Sequence, residues 1–284
     1  MKIPKYWIRR DGDVSRPDGT PLRLFAWGWS DTSPSEAEGR AGERFRSLQQ
    51  RVSQGLEIPR GYAYGSRPVR EQILEEIPGP DGRPDALLTR NSYGSVVLNA
   101  ARAMFVDVDV DMSEPGGFSV KRLFGLGGGG ASPQDAALDR LRGVLRGSGG
   151  GTFRVYRTFA GFRLLAIDRV FAPASSDSES VMRAAGADPA FVQLCRIQES
   201  FRARLTPKPW RIGQKPPPGQ FPREERGQET AFAAWLERYE RAAASMATCR
   251  FVETIGSGRA HPEIEPIVRL HDERTRAGSD LPLA

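Results

Sequence analysis

From Val106 to Met112, within the stretch Met104-Phe-Val-Asp-Val-Asp-Val-Asp-Met112, apolar and acidic side chains alternate without a break. A period of two is that of a β-strand. It puts Phe105, Asp107, Asp109 and Asp111 on one face and Met104, Val106, Val108, Val110 and Met112 on the other. The pattern predicts a valine side turned to a core and a carboxylate side turned to cations.

Upstream, Tyr6, Trp7 and Ile8 answer Leu22, Leu24, Phe25 and Trp27 across the turn residues Asp11-Gly-Asp13 and Arg16-Pro-Asp-Gly19. These β-prone types predict a hairpin of strands over 5–9 and 20–29. Capping residues fill 30–35, and Ala37, Ala41, Phe45, Leu48 and Val52 then recur at three- and four-residue steps, a helical stripe that should pack on the hairpin. Residues 61–65 read as a short strand or loop, and 69–77 as a short helix ended by Pro78-Gly-Pro80. Residues 87–89 and 95–98 flank the turn Arg90-Asn-Ser-Tyr-Gly94 and lead into the acidic strand.

Downstream, Pro115-Gly-Gly117 and the glycine run 125–130 read as a loop or linker. The run lacks the lysine and hydroxyl of a P-loop, so no phosphate-binding role is assigned to it. Ser132-Pro133 opens a helix carrying Ala137, Leu138, Leu141, Val144 and Leu145, and two strands meet at the turn Phe159-Ala-Gly161. Short helices fit 178–185 and 190–197, a proline-rich connector fits 213–222, and a longer helix over 229–246 presents Phe232, Trp235, Leu236, Tyr239 and Met246. A strand over 251–255 and a helix over 262–274 close the series.

The succession predicts an α+β fold, a mixed or antiparallel sheet with flanking helices and the acidic strand at its centre. Residues 1–284 form a single domain with its sheet core at 87–172; the helical, basic portion 173–284 either completes it or forms a subdomain.

Composition narrows the functional classes. Hydrophobic residues at 39% suffice for a core, and 41 Lys and Arg against 35 Asp and Glu give +6, a mild bias toward polyanionic partners. Cys195 and Cys249 form no CxxC pair, which excludes a zinc ribbon and predicts two buried free thiols. The two histidines, His261 and His271, read as structural or surface residues and leave no basis for a Ser-His-Asp or Cys-His set. No window is apolar for long enough to cross a bilayer, and the first residues lack a secretory apolar segment, so the expected location is the cytoplasm, away from membranes.

Carboxylates two apart on a strand stand about 6 to 7 Å from each other. Three in a row repel unless a metal or arginines neutralise them. Asp107, Asp109 and Asp111 are therefore candidate ligands of Mg²⁺ or Mn²⁺ bound together with substrate phosphates; the alternative is an edge strand whose acids pair with arginines. In the later hairpin, Thr158, Gly161 and Arg163 combine a hydroxyl, a tight turn and an arginine suited to phosphate, or else form an ordinary hairpin. Arg202, Arg204, Lys208 and Arg211, with Trp210 among them, have the composition of a nucleic-acid-contacting surface or of one solvated face.

A hydrophobic strand ending in Asp-x-Asp, then a helix, then a strand and turn of the form Arg-Thr-x-x-Gly-x-Arg resembles the catalytic core of the archaeo-eukaryotic primase superfamily, in particular its bacterial and plasmid primase-polymerase branch. The resemblance covers residues 98–168. It implies an RRM-like core, catalytic metals on Asp107 and Asp109, a nucleotide-contacting motif of Thr158, Gly161 and Arg163, and a metal-dependent nucleotidyltransferase that takes nucleoside triphosphates and nucleic acid, in which Arg163 would also act in catalysis by steadying developing charge. Leu164 stands where the family carries a histidine, and the family's third acidic motif has no clear match. A non-catalytic nucleic-acid-binding protein on a related fold is the second reading. Lys2-Ile-Pro-Lys-Tyr-Trp7 and Leu205-Thr-Pro-Lys-Pro-Trp-Arg211 are also similar to a group of uncharacterised bacterial proteins.

Overall fold

A computed structural model describes residues 1–58, 67–110, 133–147 and 151–284. Asp111, the Pro115–Gly117 turn, the glycine run and the 61–65 segment lie outside the described residues. The chain is α+β, and the three sheets among the described residues are all antiparallel.

Strands β1 (Tyr6–Ser15) and β2 (Pro21–Ser30) form a two-stranded hairpin. Helix α1 (Pro34–Ser53) starts where the Ser33 hydroxyl accepts from the Glu36 amide and Pro34 presets the first turn. It buries Ala37, Ala41, Phe45 and Val52 against β1 and β2. Gly28 makes that approach feasible, because a Cβ there would stand 2.0 Å from the Ala37 carbonyl oxygen.

The second sheet joins β3 (Gln72–Pro78), β4 (Pro84–Arg90), β5 (Val96–Ala100) and β9 (Phe201–Arg204) in that order. β3 corrects the expectation of a helix over 69–77. Local propensity at Leu74-Glu-Glu76 is outweighed by pairing with β4, at the cost of a register shift between Ile73 and Glu75.

The third sheet runs β10 (Cys249–Ile255), β7 (Phe153–Thr158), β8 (Gly161–Ala166), β6 (Phe105–Asp109). The acidic strand β6 is thus an edge strand rather than the centre. Its faces also differ from the period-two expectation: Phe105 and Val106 are both buried, Val108 and Val110 are half-buried, and only Asp109 is exposed.

β9 is an edge of the second sheet, and it lies against β6, so two sheet edges meet at one seam. Helices α2 (Pro133–Gly147), α3 (Ser176–Ala184), α4 (Pro189–Gln198) and α6 (Glu265–Thr275) contribute Leu141, Met182, Val192 and Ile267 to the main core with both four-stranded sheets. Helix α5 (Gln228–Ala243) builds a separate aromatic cluster of Phe232, Trp235 and Tyr239. Both cysteines are free and buried. No described helix is long and apolar enough to cross a membrane.

Candidate functional site

The seam between β6 and β9 gathers most of the charged residues singled out in the sequence. β6 pairs with β8 so that Asp107 stands directly opposite Arg163, and Asp109 opposite Gly161. Gly161 is fixed by packing: a Cβ there would meet the Val108 carbonyl oxygen at 2.1 Å, so only glycine lets β8 run this close beside Asp109. Thr158 is half-buried at the end of β7 and faces Cys249 in register.

Arg163 grips Asp107 with two bonds, Nε to Oδ1 at 2.6 Å and Nη2 to Oδ2 at 3.0 Å. Its Nη1 donates to the Arg204 carbonyl oxygen at 2.8 Å, which ties the two sheets together. The Arg163 side chain is 1% exposed, whereas Asp107 keeps 36% of its surface. Burial disfavours the Asp107 charge, but the paired guanidinium more than offsets it, so its carboxyl sits below the usual carboxylate range. This corrects the role expected for Arg163. Its donors are used inside the protein, so it positions Asp107 instead of meeting a phosphate or steadying charge on a reacting group.

Behind this pair lies His271, fully buried on α6 between the rings of Phe105 and Tyr156. Its Nε2 is 3.4 Å from Arg163 Nη1, and its Nδ1 is 3.1 Å from Asp272 Oδ1. A guanidinium can only donate, so Nε2 accepts and Nδ1 carries the proton toward Asp272. Burial drives the His271 pKa down to about 4 despite the Asp272 carboxylate. Asp272 Oδ2 in turn accepts from Arg154 at 2.5 Å. A chain of contacts therefore runs from Arg154 through Asp272, His271 and Arg163 to Asp107. Sequence reasoning missed it; the available signal was the spacing of Ile267, His271 and Thr275, which marks the buried face of α6.

The opposite wall comes from β9 and the segment after it. Arg204 is half-buried, its Nε has no hydrogen-bond partner among the described residues, and its pKa is pushed down to about 10 by burial and then by the neighbouring Arg163 charge. Lys208 is lowered by burial and by Arg204 and Arg211, against the attraction of Asp109 and Asp107. Burial lowers Arg211 as well, opposed by Asp109. Four cations (Arg163, Arg204, Lys208 and Arg211) thus lie within electrostatic reach of two carboxylates.

Three exposed aromatic rings adjoin them. Arg211 covers Phe159 at 4.2 Å, Lys208 lies 5.5 Å from the Trp210 ring, and Tyr93 meets Trp210 edge-on at 5.2 Å. Trp210 is 49% exposed and Phe159 53%.

Comparison with protein-family models, curated proteins and solved structures gives no match to this chain. The site is therefore read from its own geometry.

Arg202 leaves the candidate set. It is 9% exposed and donates to Glu71 Oε1 at 2.7 Å and to Asn99 Oδ1 at 2.6 Å. As for a metal, Asp111 is not among the described residues, and within those no group of three or more His, Cys, Asp or Glu is gathered as ligands. Asp107 and Asp109 remain two adjacent carboxylates, which suits a Mg²⁺ that takes its other ligands from water and phosphate; both oxygens of Asp107 already accept from Arg163.

Proposed function

We propose that the seam between β6 and β9 binds single-stranded nucleic acid through its phosphates and bases, with Arg204, Lys208 and Arg211 facing the backbone and Trp210 and Phe159 stacking on bases. The observation that carries this reading is the excess of cations over carboxylates in a half-buried place. Arg204 is depressed by burial and then by the cationic Arg163 and Arg211, and a phosphate at the seam would offset that crowding of like charge. Exposed rings beside such a groove are what sequence-tolerant strand binding uses, since every base offers a π face. Asp107 and Asp109 set a limit to the positive field and favour a strand whose phosphates keep to the Lys208 and Arg211 side.

The test is fluorescence anisotropy of a labelled single strand titrated with the full chain. The wild type should bind at low salt, and Lys208→Gln with Arg211→Gln should weaken binding at least tenfold without changing the thermal midpoint. Equal affinity in the two proteins would remove the proposal.

A second reading, metal-dependent nucleotidyl transfer, is supported by the adjacency of Asp107 and the exposed Asp109 on one strand. In it these two carboxylates would hold Mg²⁺ or Mn²⁺, which supplies charge neutralisation for a nucleoside triphosphate. It requires Mn²⁺-dependent nucleotide incorporation that Asp109→Ala abolishes; incorporation unchanged by that substitution rules it out.

A further inference from the structure

Apart from the seam, the structure holds a second basic recess. A cavity of about 360 Å³ opens between Trp7, Arg67, Arg70, Asn91, Ser92 and Tyr93. We infer that this cavity is a phosphate-binding site, built to take a phosphate group of a nucleic-acid strand or of a free nucleotide or polyphosphate.

The charges argue for an anion. At the cavity wall Arg202 and Glu71 pair with each other at 2.7 Å, and Glu71 also accepts from the Thr89 hydroxyl at 2.5 Å, so that acid is satisfied within the protein. Arg67 and Arg70 then add positive charge to the lining. Arg70 is held in place without a carboxylate: it donates to Gln220 Oε1 at 2.7 Å and lies over the Trp27 ring at 4.0 Å, and it makes no ion pair among the described residues. Burial lowers its pKa, and Arg67 and Arg9 press it the same way against the weaker attraction of Glu224. A guanidinium stacked on an aromatic ring and kept among like charges is preorganised to meet a ligand that carries several oxygens.

The rim is equally fixed. Asn91 Oδ1 accepts from the amides of Tyr93 and Ser95, which locks the turn and sets Ser92 and Tyr93 at the mouth. Tyr93 is the ring that meets Trp210, so the cavity and the seam share a wall. The volume is within the range of pockets that take small ligands.

The site stands whether or not the seam binds a strand, and the test separates the two. Calorimetry with pyrophosphate is run on the full chain carrying Lys208→Gln and Arg211→Gln, so that the seam contributes least. One site is expected there, and adding Arg70→Gln should weaken it at least tenfold. Arg67→Gln, at an exposed position, gives the same direction and decides the matter if Arg70→Gln proves unstable. A fall in affinity for a single-stranded oligonucleotide on Arg70→Gln, in a chain with the seam intact, assigns the phosphate to a strand; unchanged oligonucleotide affinity with weakened triphosphate binding assigns it to a free nucleotide. Absent pyrophosphate binding, binding that neither arginine substitution alters, or tighter binding of oligoglutamate than of pyrophosphate would overturn the site.

Discussion

Arg163 holds both carboxylate oxygens of Asp107, at 2.6 and 3.0 Å, from the directly opposite position on the next strand. The pair joins the chemistry of the acidic strand to the architecture, because the same guanidinium also binds the carbonyl of Arg204 on the neighbouring sheet. Removing it should loosen the seam as well as uncover a charge. Arg163→Ala is expected to cost about 2 to 3 kcal/mol, less than the roughly 3 to 5 of a fully buried pair because Asp107 is partly solvated. Urea denaturation of the variant measures this; a loss under about 1 kcal/mol would mean that the pair is merely incidental.

Arg202 and Glu71 form the more deeply buried pair, with side chains 10% and 6% exposed. Arg202→Ala strands Glu71 without its cation and should cost about 3 to 5 kcal/mol. Urea denaturation checks it, and a loss under about 1 kcal/mol would show that Glu71 does not depend on this cation.

His271 predicts a pH dependence. Its pKa in the fold is pushed down to about 4, below the usual histidine value, by burial, with Arg163 acting the same way and Asp272 opposing both. The unfolded chain therefore takes up a proton before the folded one does, and the stabilisation is fully present above the unfolded pKa and lost as pH falls toward the folded pKa. Unfolding free energy should drop by about 3 kcal/mol as pH falls from about 6.5 to 4. His271→Gln should lack that part of the slope in denaturation curves taken across this range. The Asp107 contribution, from a carboxyl held low, is lost only further down, as pH falls through its folded value.

Gly161 is a packing requirement at the site. With the Val108 carbonyl oxygen and the Val110 nitrogen 2.1 and 2.9 Å from a new Cβ, Gly161→Ala must push two backbone segments apart. A cost of about 3 kcal/mol is expected from such overpacking. The thermal midpoint checks it, and an unchanged midpoint would show that β8 yields without strain.

Trp210 tests the stacking component alone. Its exposed ring touches Tyr93 edge-on and carries little of the core. Trp210→Ala should lose about 1 to 3 kcal/mol of strand affinity, the worth of one stacked base. Its stability should stay within about 0.5 kcal/mol of the wild type. Anisotropy titrations read the first and calorimetric melting the second.

Elements whose signal is local were legible in the sequence. The α1 stripe, the opening hairpin and the turn at Gly161 each depend on spacing within a few residues; the stripe and the turn form as read, and the hairpin forms with its first strand running on through Asp11-Gly-Asp13 to Ser15. Leu74-Glu-Glu76 was misread because its strand identity comes from β4 alone. The edge position of β6 follows from its pairing with β8 on one side, and the meeting of the sheets from β9, almost a hundred residues downstream; no local period encodes either. The acids of β6 carried two readings, metal or arginine; Asp107 meets Arg163 across 56 positions of chain, and His271 reaches Arg163 across 108. Such contacts leave no trace in a window of sequence; the spacing of Ile267, His271 and Thr275 marks the histidine as buried but not its partner.

The central claim is that Lys208 and Arg211 neutralise strand phosphates at the seam, and the salt dependence of binding tests it most directly. Each phosphate contact to a single strand contributes about 0.7 to the slope of log affinity against log salt. Replacing both residues by glutamine should therefore make the slope shallower by about 1.4. Identical slopes in the wild type and the double variant, whatever the affinities, would contradict the account.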